Sequence, residues 1–250
     1  MTPRVAHIDR HPVKGIGREE VASVELSAGD WMPYDRLWAV AHERANLDGT
    51  GWLAKRNFLC GVTDPGVMAV TAHMDEAAGR LTLEHPLAGR IEFDPEDESD
   101  LPALLDWLKH IWPADRPAPT SVHRAGRAHL TDSPEAWISV HTVVSLASLE
   151  KRMGRTLTRH RFRGNLWLEG FEPWDEKSWI GRRLTVGNAV LRVREEITRC
   201  KTTHANPETG VRDAEVLDAL ADLGHREFGV FAVVERGGRV SRGDAVQVSG

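Results

Sequence analysis

The sequence predicts a predominantly β protein of the α+β class, built as two packed barrel-like β domains with a few short helices. Three observations predict it. Short apolar or alternating runs recur along the chain and are separated by Gly, Pro, Asp and Asn, the pattern of barrels and sandwiches. Helical periodicity is confined to three brief stretches. The 250 residues are 41% hydrophobic and 28% charged, enough for one large or two modest apolar cores. The first barrel-like domain is expected over residues 1–98, a helix and connector over 99–119, and the second domain over 120–250.

Taken in order, the opening residues run through Ile8 in a strand-like pattern. Strands follow at Val21 to Leu26, Leu37 to Ala41, Val67 to Ala72, Arg80 to Glu84 and Arg90 to Phe93, each bounded by turn formers. The acidic stretch Asp94 to Asp100 breaks the pattern and marks a boundary. It also starts a helix, because Ser99 or Asp100 can accept first-turn amide protons and Pro102 has no amide to leave unpaired. Leu101, Leu104, Leu105, Leu108, Ile111 and Trp112 fall on one face of that helix, which Pro113 stops.

Past the stiff connector Arg116-Pro117-Ala118-Pro119, Ser121 to Arg124 is extended, Thr131-Asp132-Ser133-Pro134 is a polar turn, and Trp137 to His141 is a strand. Ser145 is placed to cap a helix from Leu146 to Met153 that Gly154 ends. Strands return at Leu166 to Leu168 and at Leu184 to Val186, where Gly187-Asn188 turns the chain into Ala189 to Ile197. A helix capped by Asp213 is expected through Leu223, then strands from Phe228 to Val234 and from Asp244 to Val248.

Composition excludes several function classes. A net charge of −5 gives no global basic field for nucleic acid. Cys60 and Cys200 lie too far apart in sequence for a zinc or iron–sulfur spacing, and no Gly-rich dinucleotide fingerprint is present. The opening residues lack a signal-peptide pattern and no apolar run is long enough to span a bilayer, so a soluble, reducing, cytoplasmic setting is expected. The nine Trp residues are scattered and read as filler of cores and domain boundaries.

Chemistry concentrates around Thr198-Arg199-Cys200-Lys201, where an alternating strand ends in a cysteine between two cations. Neighbouring positive charge favours a thiolate, which binds soft metals and attacks electrophiles; a buried Cys that merely fills space is the competing reading. A dense cationic patch, Arg155, Arg159, His160, Arg161 and Arg163, is either a solvated rim or an anion-docking edge.

These residues do not stand alone. His11-Pro12-Val13-Lys14-Gly15, Tyr34-Asp35-Arg36-Leu37-Trp38, Thr131-Asp132-Ser133-Pro134, Phe162-Arg163-Gly164-Asn165-Leu166, Gly170-Phe171-Glu172-Pro173-Trp174 and Thr198-Arg199-Cys200 with Asn206-Pro207-Glu208-Thr209-Gly210 occur in this order. Together they resemble the MOSC family with its N-terminal β-barrel companion domain, a family that includes the mitochondrial amidoxime-reducing component and the C-terminal part of molybdenum cofactor sulfurases.

The resemblance implies a molybdenum cofactor (Mo-molybdopterin) bound between the two domains, with Cys200 as the metal ligand. It also implies that Lys14, Gly15 and Arg36 from the first domain, and Ser133, Arg163, Asn165, Thr198 and Arg199 from the second, hold the cofactor. Gly15 departs from the family's usual Ser and leaves only a backbone amide for that contact. Asp132 is the candidate acid or base beside the metal, and Cys60, with no family role, is read as buried filler.

Three functions follow as expectations. The first is a molybdenum-dependent oxidoreductase that reduces N-hydroxylated or related N-oxygenated compounds. Its electrons would come from a separate partner, a flavin reductase, ferredoxin-like or cytochrome-like protein. The second is a non-catalytic carrier of the cofactor, or of a persulfide sulfur on Cys200. The third is a β-rich binding module with Cys200 buried. No nucleic-acid or membrane partner is expected.

Overall fold

The structure, a computed structural model, describes residues 2–48 and 51–250. It is predominantly β with a few short helices, an α+β fold. Its largest element is an eight-stranded sheet running Val246–Ser249, Arg183–Val186, Ala189–Thr198, Glu227–Arg236, Ile138–Thr142, Leu166–Glu169, Arg4–Arg10 and Glu19–Glu20. All neighbours are antiparallel except Ile138–Thr142 with Leu166–Glu169. Alternation explains the burial: Leu191, Val193, Val230, Ala232, Ile138 and Val140 face one core, while the intervening side chains face away.

Strand pairing does not follow the boundaries expected from sequence. Arg4–Arg10 lies within the sheet of the C-terminal half, and Ser23–Leu26 pairs with Gly238–Ser241. Accordingly Val5, Ile8, Val24, Leu26 and Met32 share a core with the late strands. The reverse crossing occurs at the connector, where Pro119–Arg124 pairs with Trp38–His42. Leu104, Trp107, Leu108, Ile111 and Trp112 pack with Val13, Trp38, Val40 and Val67 in a second core beside the three-stranded sheet Thr71–Asp75, Arg80–His85 and Gly89–Phe93. Apolar segments are held by the surface they cover, and these cover surfaces far away in sequence.

Local chemistry accounts for the smaller differences. Val67 to Ala69 form a 3-10 turn from Pro65, with the Asp64 carboxylate accepting from Gly66 N at 2.8 Å, and the strand starts only at Thr71. The first helix spans Leu101–Leu108; Asp97, not Ser99 or Asp100, supplies the capping carboxylate, accepting from Ser99 N in the preceding turn. The second helix is Val143–Met153, capped by Thr142 and closed by Gly154 at φ +63°. The third is only Val216–Ala221, because the Asp213 carboxylate is taken by Arg161 at 2.6 Å and Arg155 at 3.0 Å. The expected hairpin stands, with Gly187 at φ +55°. Among the described residues no helix is long and apolar enough to cross a membrane.

Candidate functional site

The ten residues singled out from the sequence all border one cleft of about 620 Å³ between the N-terminal loops and the far face of the large sheet. Lys14 and Gly15 sit in the loop after Arg4–Arg10, and Arg36 sits just ahead of Trp38–His42. Asp132 and Ser133 precede Ile138–Thr142; Arg163 and Asn165 precede Leu166–Glu169; Thr198 ends the long strand from Ala189, and Arg199 and Cys200 follow it.

Lys14 is buried and donates from Nζ to Leu130 O at 2.8 Å and to Asp132 Oδ1 at 2.7 Å. Burial holds the Lys14 ammonium below its ordinary range, and Asp132 resists that shift. The Asp132 side chain is 66% exposed, open to the cleft. Its crowded walls push the carboxyl up, but the Lys14 charge outweighs them, so it lies below the usual carboxylate range and is ionised at neutral pH. An ionised Asp132 anchors Lys14 and is suited to accept a proton, not to supply one.

Arg36 and Arg163 adopt the left-handed backbone, at φ +53° and +48°, which aims both guanidinium groups into the seam. Arg36 pairs with the buried Asp35 and donates to Arg163 O at 2.8 Å. Burial alone would raise the Asp35 carboxyl; the Arg36 charge and bonds from His11 hold it far below the ordinary range instead. Arg163 donates to Gly17 O at 3.0 Å and Val13 O at 3.3 Å. Arg199 donates from Nε to Phe228 O at 2.8 Å, from Nη1 to Phe162 O at 2.9 Å, and from Nη2 to His141 Nε2. Burial pulls both arginines down to about 9, with Arg36 adding repulsion, and both stay cationic at neutral pH.

Among the described residues neither Arg163 nor Arg199 has a carboxylate at ion-pair distance. Arg36 has Asp35, and Arg161, also on the cleft, has Asp213. Two half-buried guanidinium groups whose protein partners are all neutral leave a positive potential that an anion in the cleft would relieve.

Cys200 is half-buried at the start of the 3-10 turn Lys201–His204, with Sγ 3.4 Å from Thr202 Oγ1. Of its two flanking cations, Lys201 is exposed, whereas Arg199 turns back into the protein, its fork spent on backbone carbonyls and His141. Asn165 is buried and engaged with Ser139 and Asp9 O, so it ties strands together where it borders the cleft. Thr198 bonds Glu227 Oε1 at 3.3 Å, and the Ser133 Oγ accepts from Glu135 N at 3.4 Å. Gly15, at φ +73°, packs so closely that a Cβ would lie 2.7 Å from Leu59 O.

Several lining residues carried no usable signal in the sequence. Cys60, expected as filler, is half-buried and borders the same cleft as Cys200. Trp137, expected in a core, stacks on Phe231 at the cleft wall with ring centroids 4.6 Å apart. Of the cationic patch only Arg161 and Arg163 reach the cleft; Arg155 pairs with Asp213 and Arg159 with Asp9 and Glu20. Glu195 and Glu196 reach the site through a β-bulge that sequence patterning does not reveal.

With this geometry in place, the comparison with known proteins is specific: residues 126–247 match the sequence profile of the MOSC domain. The C-terminal half of the chain is a MOSC domain. Over 98% of its length the chain is 29% identical to the molybdenum cofactor sulfurase of Caenorhabditis briggsae, covering 35% of that protein. Over 43% of its length it is 30% identical to the mitochondrial amidoxime reducing component 2 of Homo sapiens, again covering 35%. The chain thus aligns with about a third of the length of these relatives. The YUAD protein of Bacillus subtilis superposes on 99% of the chain, and the chain on 96% of it, with a TM-score of 0.47 and 14% identity. The MOSC segment supplies Cys200, Arg199, Arg163 and Asp132, and the N-terminal loops supply Lys14 and Arg36.

Proposed function

We propose that the cleft binds the molybdenum cofactor, that Cys200 supplies a thiolate to the metal, and that the protein reduces N-hydroxylated or related N-oxygenated compounds. The observation that carries this reading is the meeting of Cys200 with two half-buried guanidinium groups lacking carboxylate partners among the described residues, Arg163 and Arg199, in one cleft. That donor set fits an anionic ligand that carries a soft metal. Among the described residues no three His, Cys, Asp or Glu side chains converge on a metal, so Cys200 offers one bond and a cofactor with sulfurs of its own offers others. The names of the relatives, a molybdenum cofactor sulfurase and an amidoxime reducing component, point the same way.

When bound, the cofactor supplies a metal that changes oxidation state and takes up an oxygen atom. The protein's own part is electrostatic and positional. Lys14, Arg36 and Arg163 hold negative charge at the seam, Asp132 fixes Lys14 and can take a proton from the reacting group, and Arg199 braces the strand end that presents Cys200. Electrons come from a separate flavin reductase, ferredoxin-like or cytochrome-like protein.

The test is expression in cells that make the cofactor, with molybdenum and pterin measured per chain. Near-stoichiometric metal that falls at least tenfold in Cys200→Ala, at unchanged circular dichroism, supports the reading; equal metal in both refutes it. Reduction of an amidoxime with an artificial electron donor then separates a reductase from a cofactor carrier. One observation favours a second reading, a persulfide carrier: Cys60 and Cys200 border the same cleft, and a second thiol can resolve a persulfide. Cyanide-labile sulfur on metal-free protein, lost in Cys200→Ala, would select it.

A further inference from the structure

One wall of the cleft is unlike its cationic floor. The register of three strands sets Phe231 opposite Ser139 on one side and Glu195 on the other, so these residues form a row across the sheet. A register shift between Val193 and Glu195 creates the row: before it odd-numbered Leu191 and Val193 face the core, and after it Glu195 pairs with Phe231 on the opposite face. Trp137 lies over Phe231 at 4.6 Å and an interplanar angle of 27°, and both rings are half-buried. Glu135, two residues before Trp137, borders the cleft as well.

Glu195 therefore stands beside Phe231 on the sheet, and Glu135 lies two residues from Trp137 on the same cleft. Among the described residues the Glu135 and Glu195 side chains form no ion pair or side-chain hydrogen bond, whereas Glu196 is taken by Lys177 at 3.1 Å. The cations on the cleft are Lys55 and the floor residues Lys14, Arg36, Arg161, Arg163 and Arg199, and each of these five floor residues is already hydrogen-bonded within the protein. An aromatic face with flanking unpaired carboxylates attracts a flat group that carries positive charge at its edge.

We propose that Trp137, Phe231, Glu135 and Glu195 form a subsite for a planar, positively charged aryl base, which stacks on the ring pair and turns its cationic nitrogen toward the carboxylates. This rests on the preceding reading only in that the subsite would hold the remote end of a substrate whose reacting end lies near Cys200. It selects among substrates by charge: protonated aryl bases are taken and acids of the same shape are turned away.

The test is titration of the full-length protein, cofactor-free and cofactor-loaded, with phenylguanidinium and its uncharged isostere phenylurea, followed by the indole resonances of the tryptophans. Phenylguanidinium is expected to bind at least tenfold tighter than phenylurea in both forms. Glu195→Gln is expected to cut that ratio below threefold, and Trp137→Ala to weaken both ligands. Equal binding of the two ligands, or a ratio unchanged in Glu195→Gln, overturns the proposal. So does binding to cofactor-free protein that disappears on loading, because the cofactor's own ring would then occupy the stack. Glu195 lies exposed on the sheet, so its substitution leaves the core intact. The cofactor-free titration reads neither metal nor turnover, so it fails or succeeds independently of the metal measurement on Cys200→Ala.

Discussion

His141 shows how much of the cleft depends on one side chain that never touches it. Its ring is fully buried, stacks on Trp167 at 4.7 Å, and lies between Gly164 and Gly229, where an added Cβ would come within 2.5 Å of it from either side. Burial, then the Arg199 charge, holds the imidazole well below its ordinary range, so it is neutral and its Nε2 accepts from Arg199. His141→Phe keeps the stack and removes the acceptor. It is expected to cost about 1–3 kcal/mol in urea unfolding and to lower metal content, since Arg199 precedes Cys200. Gly164→Ala is expected to cost about 1–3 kcal/mol by overpacking against the ring, read in the same unfolding experiment. Neither role is legible in the sequence. His141 reads only as the end of a strand, and its partner lies 58 positions away, just past the end of a strand two places across the sheet.

At the level of elements, local rules decide what the sequence discloses. The turn at Gly187 and the stop at Gly154 need a positive φ that glycine supplies without strain, and both are readable from a few residues. The long strand from Ala189 is readable through Val193, where alternation holds, and unreadable beyond it, because a bulge obeys its partner strand and not its own pattern. The cap of the Val143–Met153 helix is Thr142, three residues ahead of the expected Ser145, because a buried partner decides between the two hydroxyls. Thr142 accepts from Ser145 N at 3.2 Å and also reaches the buried Glu176 at 3.1 Å, while Ser145 donates to the same carboxylate at 2.9 Å. Thr142→Ala removes a cap and one support of that carboxylate, with an expected loss of about 1–3 kcal/mol measured by thermal or urea unfolding.

For the molecule as a whole, pH acts through buried imidazoles. His11 and His141 are held well below 6.5 by burial first, and His160 is pushed down to about 3 by burial and Arg159. Between those values and the unfolded value near 6.5 the unfolded chain binds more protons, so stability is complete above pH 6.5 and falls as pH drops. Asp9 and Glu176, whose carboxyls burial pushes up, offset part of the loss at the acid end. Urea midpoints at pH 7, 6 and 5 are expected to decline in that order. The predominance of β structure was legible from short strand patterns, and the convergence of Lys14, Arg36, Arg163 and Cys200 only from the family resemblance that the ordered motifs carry. The division of labour between the halves was not, because sequence proximity does not reveal that Arg4–Arg10 borders Leu166–Glu169. Residues 126–250 expressed alone are accordingly expected to lack cooperative unfolding, since the neighbouring strand of Leu166–Glu169 and part of the core would be missing. On the ribosome the same arrangement imposes a delay. At about 5–20 residues per second, Arg4–Arg10 leaves the exit tunnel roughly 8–30 s before Leu166–Glu169 does, and Ser23–Leu26 waits longer still for Gly238–Ser241. The nascent chain must therefore carry these apolar strands without their long-range partners over that interval, which makes it a natural client for chaperones that shield emerging polypeptide.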